Sequence, residues 1–162
     1  MNNPSTAAFT IRRAVKGDAP QILRMIRELA EYENLTHEVV ATEEGLDQTL
    51  FGPKSNAEVL LAEVAYEPVG FCLFFHNYST FLGKPGVYIE DIFVRPDARG
   101  LGIGKALFAE VTRLGCERSC GRIEWSVLDW NRPAIEFYER MGAKHMKEWT
   151  IYRLTEEQFN YA

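Results

Sequence analysis

The sequence predicts one α/β domain with a mixed, mostly antiparallel, twisted sheet of about six to seven strands flanked by helices. Three observations carry this. Apolar residues recur at helical spacing in two clear stripes, Ile22-Leu23-Ile26-Leu29-Ala30 and Ile103-Ala106-Leu107-Val111-Leu114. Short segments rich in β-branched and aromatic residues are bounded by Gly and Pro turns. The two kinds of segment interleave in the order β-α-α-β-β-β-α-β-α-β.

The elements follow in turn. Residues 1–8 read as a flexible tail, and 9–162 as the domain. FTIRRA (9–14) is a short strand, after which Gly17 and Asp18 open a helix with Arg24, Arg27, Glu28 and Glu31 on its polar side. A second helix covers 43–51, with Thr42 as N-cap and Gly52-Pro53 as its stop. EVLLAEVAY (58–66), VGFCLFFHNYS (69–79) and VYIEDIFV (87–94) form an antiparallel meander with short connections. Pro96 ends the third of these strands, and RGLGIG (99–104) leads into a long helix reaching about residue 119. RIEWSVL (122–128) is a further strand, and 132–141 a short helix capped by Gly142. EWTIYRL (148–154) is expected to close the sheet, with a helical turn at 155–160.

Composition removes several function classes. The 162 residues are 46% hydrophobic and 25% charged, as in ordinary globular domains. No apolar run reaches the roughly 18 residues that span a bilayer, and the N-terminus lacks the basic flank and apolar stretch of a secretory signal, so a cytoplasmic protein without membrane contact is expected. A net charge of −5 disfavours nucleic acid, whose phosphates require basic surface. Cys72, Cys116 and Cys120 are odd in number and lack paired spacing. Reduced thiols are expected rather than a disulfide framework, and no metal site.

The chemistry concentrates in YIEDIFVRPDARGLGIGKALFAEV (88–111), where a strand runs into a glycine-rich turn and then a helix. The first N–H groups of a helix have no intrahelical partner, and the peptide dipoles place about half a positive charge there. Gly100, Gly102 and Gly104 let an anion approach the backbone, with Arg99 and Lys105 adding charge. A tight turn without ligand would carry glycines too. The Walker pattern fails because Ala106 follows Lys105, and the dinucleotide fingerprint fails on glycine spacing.

What remains, Arg99-Gly100-Leu101-Gly102-Ile103-Gly104 after Val94-Arg95-Pro96, resembles the diphosphate loop of the GNAT acetyltransferase superfamily. The preceding Ile89-Glu90-Asp91-Ile92-Phe93-Val94 resembles that family's central strand. A second landmark, Asn131-Arg132-Pro133 followed by Tyr138 and Met141-Gly142-Ala143, lies in the family's order and separation. Leu29-Ala30-Glu31-Tyr32-Glu33, Tyr78-Ser79-Thr80 and Val127-Leu128-Asp129-Trp130-Asn131 extend the resemblance to the diamine acetyltransferase branch, over about 9–154. That branch includes spermidine/spermine and thialysine acetyltransferases. Ser79 stands where the polyamine enzymes carry an acid and the thialysine type carries serine.

The resemblance implies acetyl-CoA as cosubstrate, direct transfer to the primary amine of a small cation, and a homodimer, as is typical of the branch. It implies that Ile92, Phe93 and Val94 pair with the pantetheine arm, where the sheet splays between 87–94 and 122–128. It further implies that Arg99, Gly100, Leu101, Gly102, Ile103, Gly104 and Lys105 hold the diphosphate, and that Asn131 contacts the coenzyme. An alkyl amine is about one part in a thousand neutral at pH 7, a deficit of about 4 kcal/mol, so a base is needed.

Glu90 and Asp91 are strand neighbours whose side chains point to opposite faces unless a bulge intervenes. The resemblance makes Glu90 the base, acting through water, and Asp91 the attractor of the substrate's cationic end. One of the pair could equally be a solvated strand-edge charge. Tyr138 matches the general acid that protonates the departing thiolate, although a packed core tyrosine would show the same periodicity. Glu33 and Trp149 match substrate-pocket positions, where a surface acid and a sheet-packing aromatic would leave the same pattern. Two alternatives stand beside a small-amine enzyme: a peptide acetyltransferase on the same fold, and a silent coenzyme-binding module.

Overall fold

The strands β1 (Phe9–Arg13), β2 (Ala57–Val64), β3 (Glu67–Ser79), β4 (Lys84–Val94) and β5 (Ile123–Trp125) form one sheet in chain order. The coordinates are a computed structural model and describe residues 8–161. The expected tail at 1–8 therefore lies, except for Ala8, outside the described residues. Neighbours pair antiparallel from β1 to β4, and β5 joins β4 in parallel after a helical crossover. The described chain divides into two units, one ending at Ser126 and one beginning at Val127.

In the first unit, α1 (Ala19–Tyr32) and α2 (Glu43–Phe51) cover one face of the sheet, and α3 (Ile103–Glu117) covers the other. Ile22 and Met25 pack on Val59, Leu61, Phe71 and Phe93 on the α1 side. Ile103, Leu107, Val111 and Leu114 pack on Leu60, Cys72, Phe74, Val87 and Ile89 on the α3 side. Each fully buried side chain of this size contributes roughly 1.5–3 kcal/mol. Both faces of β3 are covered, which is why its sequence lacks the alternation of a half-exposed strand.

Local chemistry sets the ends. The Thr42 hydroxyl accepts from the Gly45 N–H at 3.1 Å and caps α2. Asp18 stands at the N-cap of α1, but its carboxylate serves the preceding turn instead. It accepts from the Val15 N–H at 2.8 Å and pairs with Arg12 at 2.7 Å, which holds its pKa below the ordinary value. At the other end of α1, Asn34 takes a left-handed φ of 60°. Its N–H donates to Glu31 O, and that of Leu35 to Ala30 O at 2.8 Å, a double closure that fixes Glu33 at the helix terminus.

The second unit contains α4 (Arg132–Arg140) and a 3-10 turn over Glu156–Tyr161. Asn131 Oδ1 accepts from the Ala134 N–H at 3.3 Å, the expected N-cap. Gly142, at φ 87°, closes the far end, with Ala143 N–H donating to Tyr138 O.

Two strand expectations are corrected. The strand expected over 122–128 is confined to Ile123–Trp125, and 148–154 forms no strand among the described residues, so the sheet has five strands. Alternation supplies a strand with a face but not with a partner. In 148–154 no ladder is formed, and the Trp149 N–H instead donates to Met146 O at 3.2 Å in a turn.

Candidate active site

The sheet provides the first part of the site through an irregularity in β4. Leu73 lies opposite Asp91 while Phe74 lies opposite Ile89, so Glu90 is an extra residue, a β-bulge. In a regular strand Ile89, Asp91 and Phe93 would share a face. Here Ile89 packs on the α3 side and Phe93 on the α1 side. The bulge switches the parity, turning Asp91 toward α1 and leaving Glu90 exposed.

Glu33 belongs to the same neighbourhood. Burial raises the Asp91 carboxyl to about 6, and the charges of Glu90 and Glu33 push it the same way. Burial also raises Glu33. Three carboxylates from two elements therefore share one partly desolvated region, where a cation restores the balance that like charges disturb. The Cys72 thiol, buried in the layer under α3, is pushed up by its burial and by Asp91, which keeps it inert.

The second part is the start of α3. Gly102 is its N-cap at φ 82°, with no side chain capping the helix, and Gly100 has the same φ. A side chain at either glycine would be strained, yet would meet no atom within 4 Å. The helix start is thus unobstructed at both glycines, and no side chain caps its N-terminal N–H groups. Ile103 is 1% exposed, so its side chain belongs to the core and only its backbone can serve a ligand. Leu101 and Lys105 are exposed beside the turn. Arg99 Nε donates to Val94 O at 3.0 Å, and its guanidinium lies 4.8 Å over the Tyr32 ring.

The third part is the edge between them. The β4–β5 ladder consists of Val87–Ile123, Tyr88–Glu124 and Ile89–Trp125. Beyond Ile89 no further pair joins the two strands among the described residues, so Ile92, Phe93 and Val94 offer backbone groups on that side. An extended chain can add there as another strand would. This is the splay expected between the two segments. Trp125, at its margin, packs edge-on against Phe108 with centroids 5.2 Å apart, a core role.

A sequence model of the Acetyltransferase (GNAT) family matches residues 23–143. The chain belongs to the GNAT acetyltransferase family. It is 38% identical to thialysine N-epsilon-acetyltransferase of Sus scrofa, the match covering 93% of this chain and 95% of that protein. It is also 38% identical to an L-ornithine N5-acetyltransferase of Arabidopsis thaliana, covering 90% and 83%. Among solved structures, an integron cassette protein from the mobile metagenome of V. cholerae superposes with a TM-score of 0.79 at 25% identity, covering 94% of this chain and 95% of that one. The acetyltransferase is thus an enzyme of a family whose acyl donor is acetyl-CoA, and the open turn and free strand edge of its first unit suit that donor.

The remaining expected residues lie in the second unit. Asn131 caps α4, and Tyr138 stands within α4 with its ring edge-on to Phe137 at 5.4 Å. Trp149 falls in the irregular segment after α4. Ser79, the departure from the polyamine pattern, is buried at 3% exposure. Its Oγ accepts from the Leu82 N–H at 3.2 Å, tying the β3–β4 turn. Among the described residues no group of three or more His, Cys, Asp or Glu could hold a metal ion, and no helix is long and apolar enough to cross a membrane. A groove of about 480 Å³ along α1, lined by Arg24, Arg27, Glu28 and Glu31 among others, contains none of the expected site residues.

Sequence reasoning did not find the clamp between α1 and the loop before α3. Arg95 Nε reaches Glu28 Oε2 at 3.2 Å, and Arg99 stacks on Tyr32 one helical turn further on. Its signal was the equal spacing of the two pairs, each four residues apart, but spacing alone does not say that two segments meet.

Proposed function

We propose that this enzyme moves the acetyl group of acetyl-CoA directly onto a primary amine of a small cationic molecule, of the thialysine, ornithine or short-diamine kind. The observation that carries this is the carboxylate cluster of Glu33, Glu90 and Asp91 beside the bulge. Three acids in a partly desolvated place favour a ligand with positive charge and can take a proton from it.

In this mechanism Asp91 and Glu33 draw in the cationic end of the amine. Glu90, at the exposed crest of the bulge, accepts the ammonium proton through a water, freeing the lone pair to attack the thioester carbon. The backbone of Phe93 and Val94 orients the pantetheine arm, and the Val94 carbonyl can accept a second hydrogen bond besides that of Arg99. The N–H groups from Gly102 onward and the Arg99 and Lys105 cations hold the diphosphate. Asn131 contacts the coenzyme while capping its helix. Tyr138 protonates the leaving thiolate, a role assigned by its match to the family's tyrosine. Trp149 lines the amine pocket on the same ground. The protein acts as a cytoplasmic homodimer.

Turnover of acetyl-CoA against thialysine, ornithine, lysine, spermidine and a lysine peptide tests the substrate. Thialysine or ornithine is expected to lead the panel, and activity confined to the peptide would overturn the small-molecule assignment. Tyr138→Phe is expected to slow turnover by about tenfold or more, with coenzyme affinity in calorimetry unchanged. Equal turnover by the variant would remove Tyr138 from the mechanism.

A further inference from the structure

The two cation contacts on α1 lie on one stripe. Glu28 and Tyr32 are a turn apart on the helix, and Arg95 and Arg99 flank the 3-10 turn Pro96–Ala98, whose Ala98 is buried at 6% exposure. Arg95 pairs with Glu28 at 3.2 Å, and Arg99 lies 4.8 Å over Tyr32. The residue after Tyr32 is Glu33, whose charge bears on Asp91. The last turn of α1 thus touches the diphosphate loop on one side and ends in the carboxylate cluster on the other.

We propose that Tyr32 is a positioning residue that couples the two substrate sites, so that a filled diphosphate loop tightens the binding of the amine. The inference rests on the assignment of those sites given above. Arginine is suited to the task because its planar guanidinium can meet a phosphate with its edge while its face stays on an aromatic ring. A diphosphate at the start of α3 holds Arg99 in place. Arg99 then fixes the Tyr32 ring, and with it the backbone that carries Glu33. Coupling of this kind is reciprocal, so the amine must tighten coenzyme binding by the same factor.

Calorimetry on the full chain measures this with unacylated coenzyme A and thialysine, each titrated with and without the other. The wild type is expected to show about two- to fivefold mutual tightening, the range of one exposed cation–aromatic contact. Tyr32→Leu removes the ring face and should reduce the factor to one, while Tyr32→Phe keeps the ring and should retain it. Arg99→Lys retains the charge but lacks the flat face. It should also abolish coupling, which provides a check that does not depend on the packing of residue 32. A purely structural tyrosine would alter melting temperature without changing the coupling factor. Full coupling in folded Tyr32→Leu, or none in the wild type with both ligands bound, overturns the proposal. An absence of coenzyme A heat in the wild type is a different failure, that of the site assignment itself.

Discussion

Glu90→Gln is expected to lower kcat/KM for the amine at pH 7 by about 10²–10⁴-fold, the usual contribution of a positioned proton acceptor. The loss should shrink as the pH rises toward that of the free amine, because solvent then performs the deprotonation that Glu90 otherwise performs. A pH–rate profile of both proteins from about pH 6 to about pH 10 measures this. A constant ratio across the range would make Glu90 only a local charge. The bulge is what makes the assignment physical: as the extra residue of β4, Glu90 stands clear of both packed faces, where water and substrate can reach it.

Asp91→Asn should separate function from stability. Its carboxyl is raised from 3.8 to about 6, so the folded protein holds that proton more tightly than the unfolded chain does. Between those values the folded state binds more protons, and stability therefore falls as pH rises through the window. Above it, an ionised Asp91 costs on the order of 2 kcal/mol. The asparagine variant should thus melt roughly 4–8 °C higher at pH 8, with the gain gone below about pH 4. The same variant should bind the amine at least about tenfold more weakly, since a buried charge opposite a cation has been lost. Thermal melts at the two pH values and the amine KM are the measurements. A variant that is less stable at pH 8 would mean that Asp91 already has a compensating partner.

Much of this site was legible before any coordinates. The glycines of 99–104 announce a helix start, and Gly102 is the N-cap of α3. Thr42 and Asn131 cap as expected, because capping is set by a residue and its next three neighbours. The adjacent acids of β4 were visible as a pair, but their shared neighbourhood was not. Alternation assigns Glu90 and Asp91 to opposite faces, and the bulge that overrides it depends on pairing with Leu73 and Phe74, well away in sequence. The same limit explains the strand expected at 148–154, since a favourable run of residues cannot report whether another strand is available to bond it. The contacts of Arg95 and Arg99 with α1 are long-range as well, and emerge only when the loop folds onto the helix.

The extra residue in β4 also bears on how this chain can change length. Dropping Glu90 would restore a regular ladder, with Asp91 following Ile89 directly and still opposite Leu73. Asp91 would go on facing α1 and Phe93 would stay beside Phe71, and the change would be confined to the exposed carboxylate at the crest. The extra residue therefore adds a carboxylate at the surface of β4 while leaving the packing on either side of it in register.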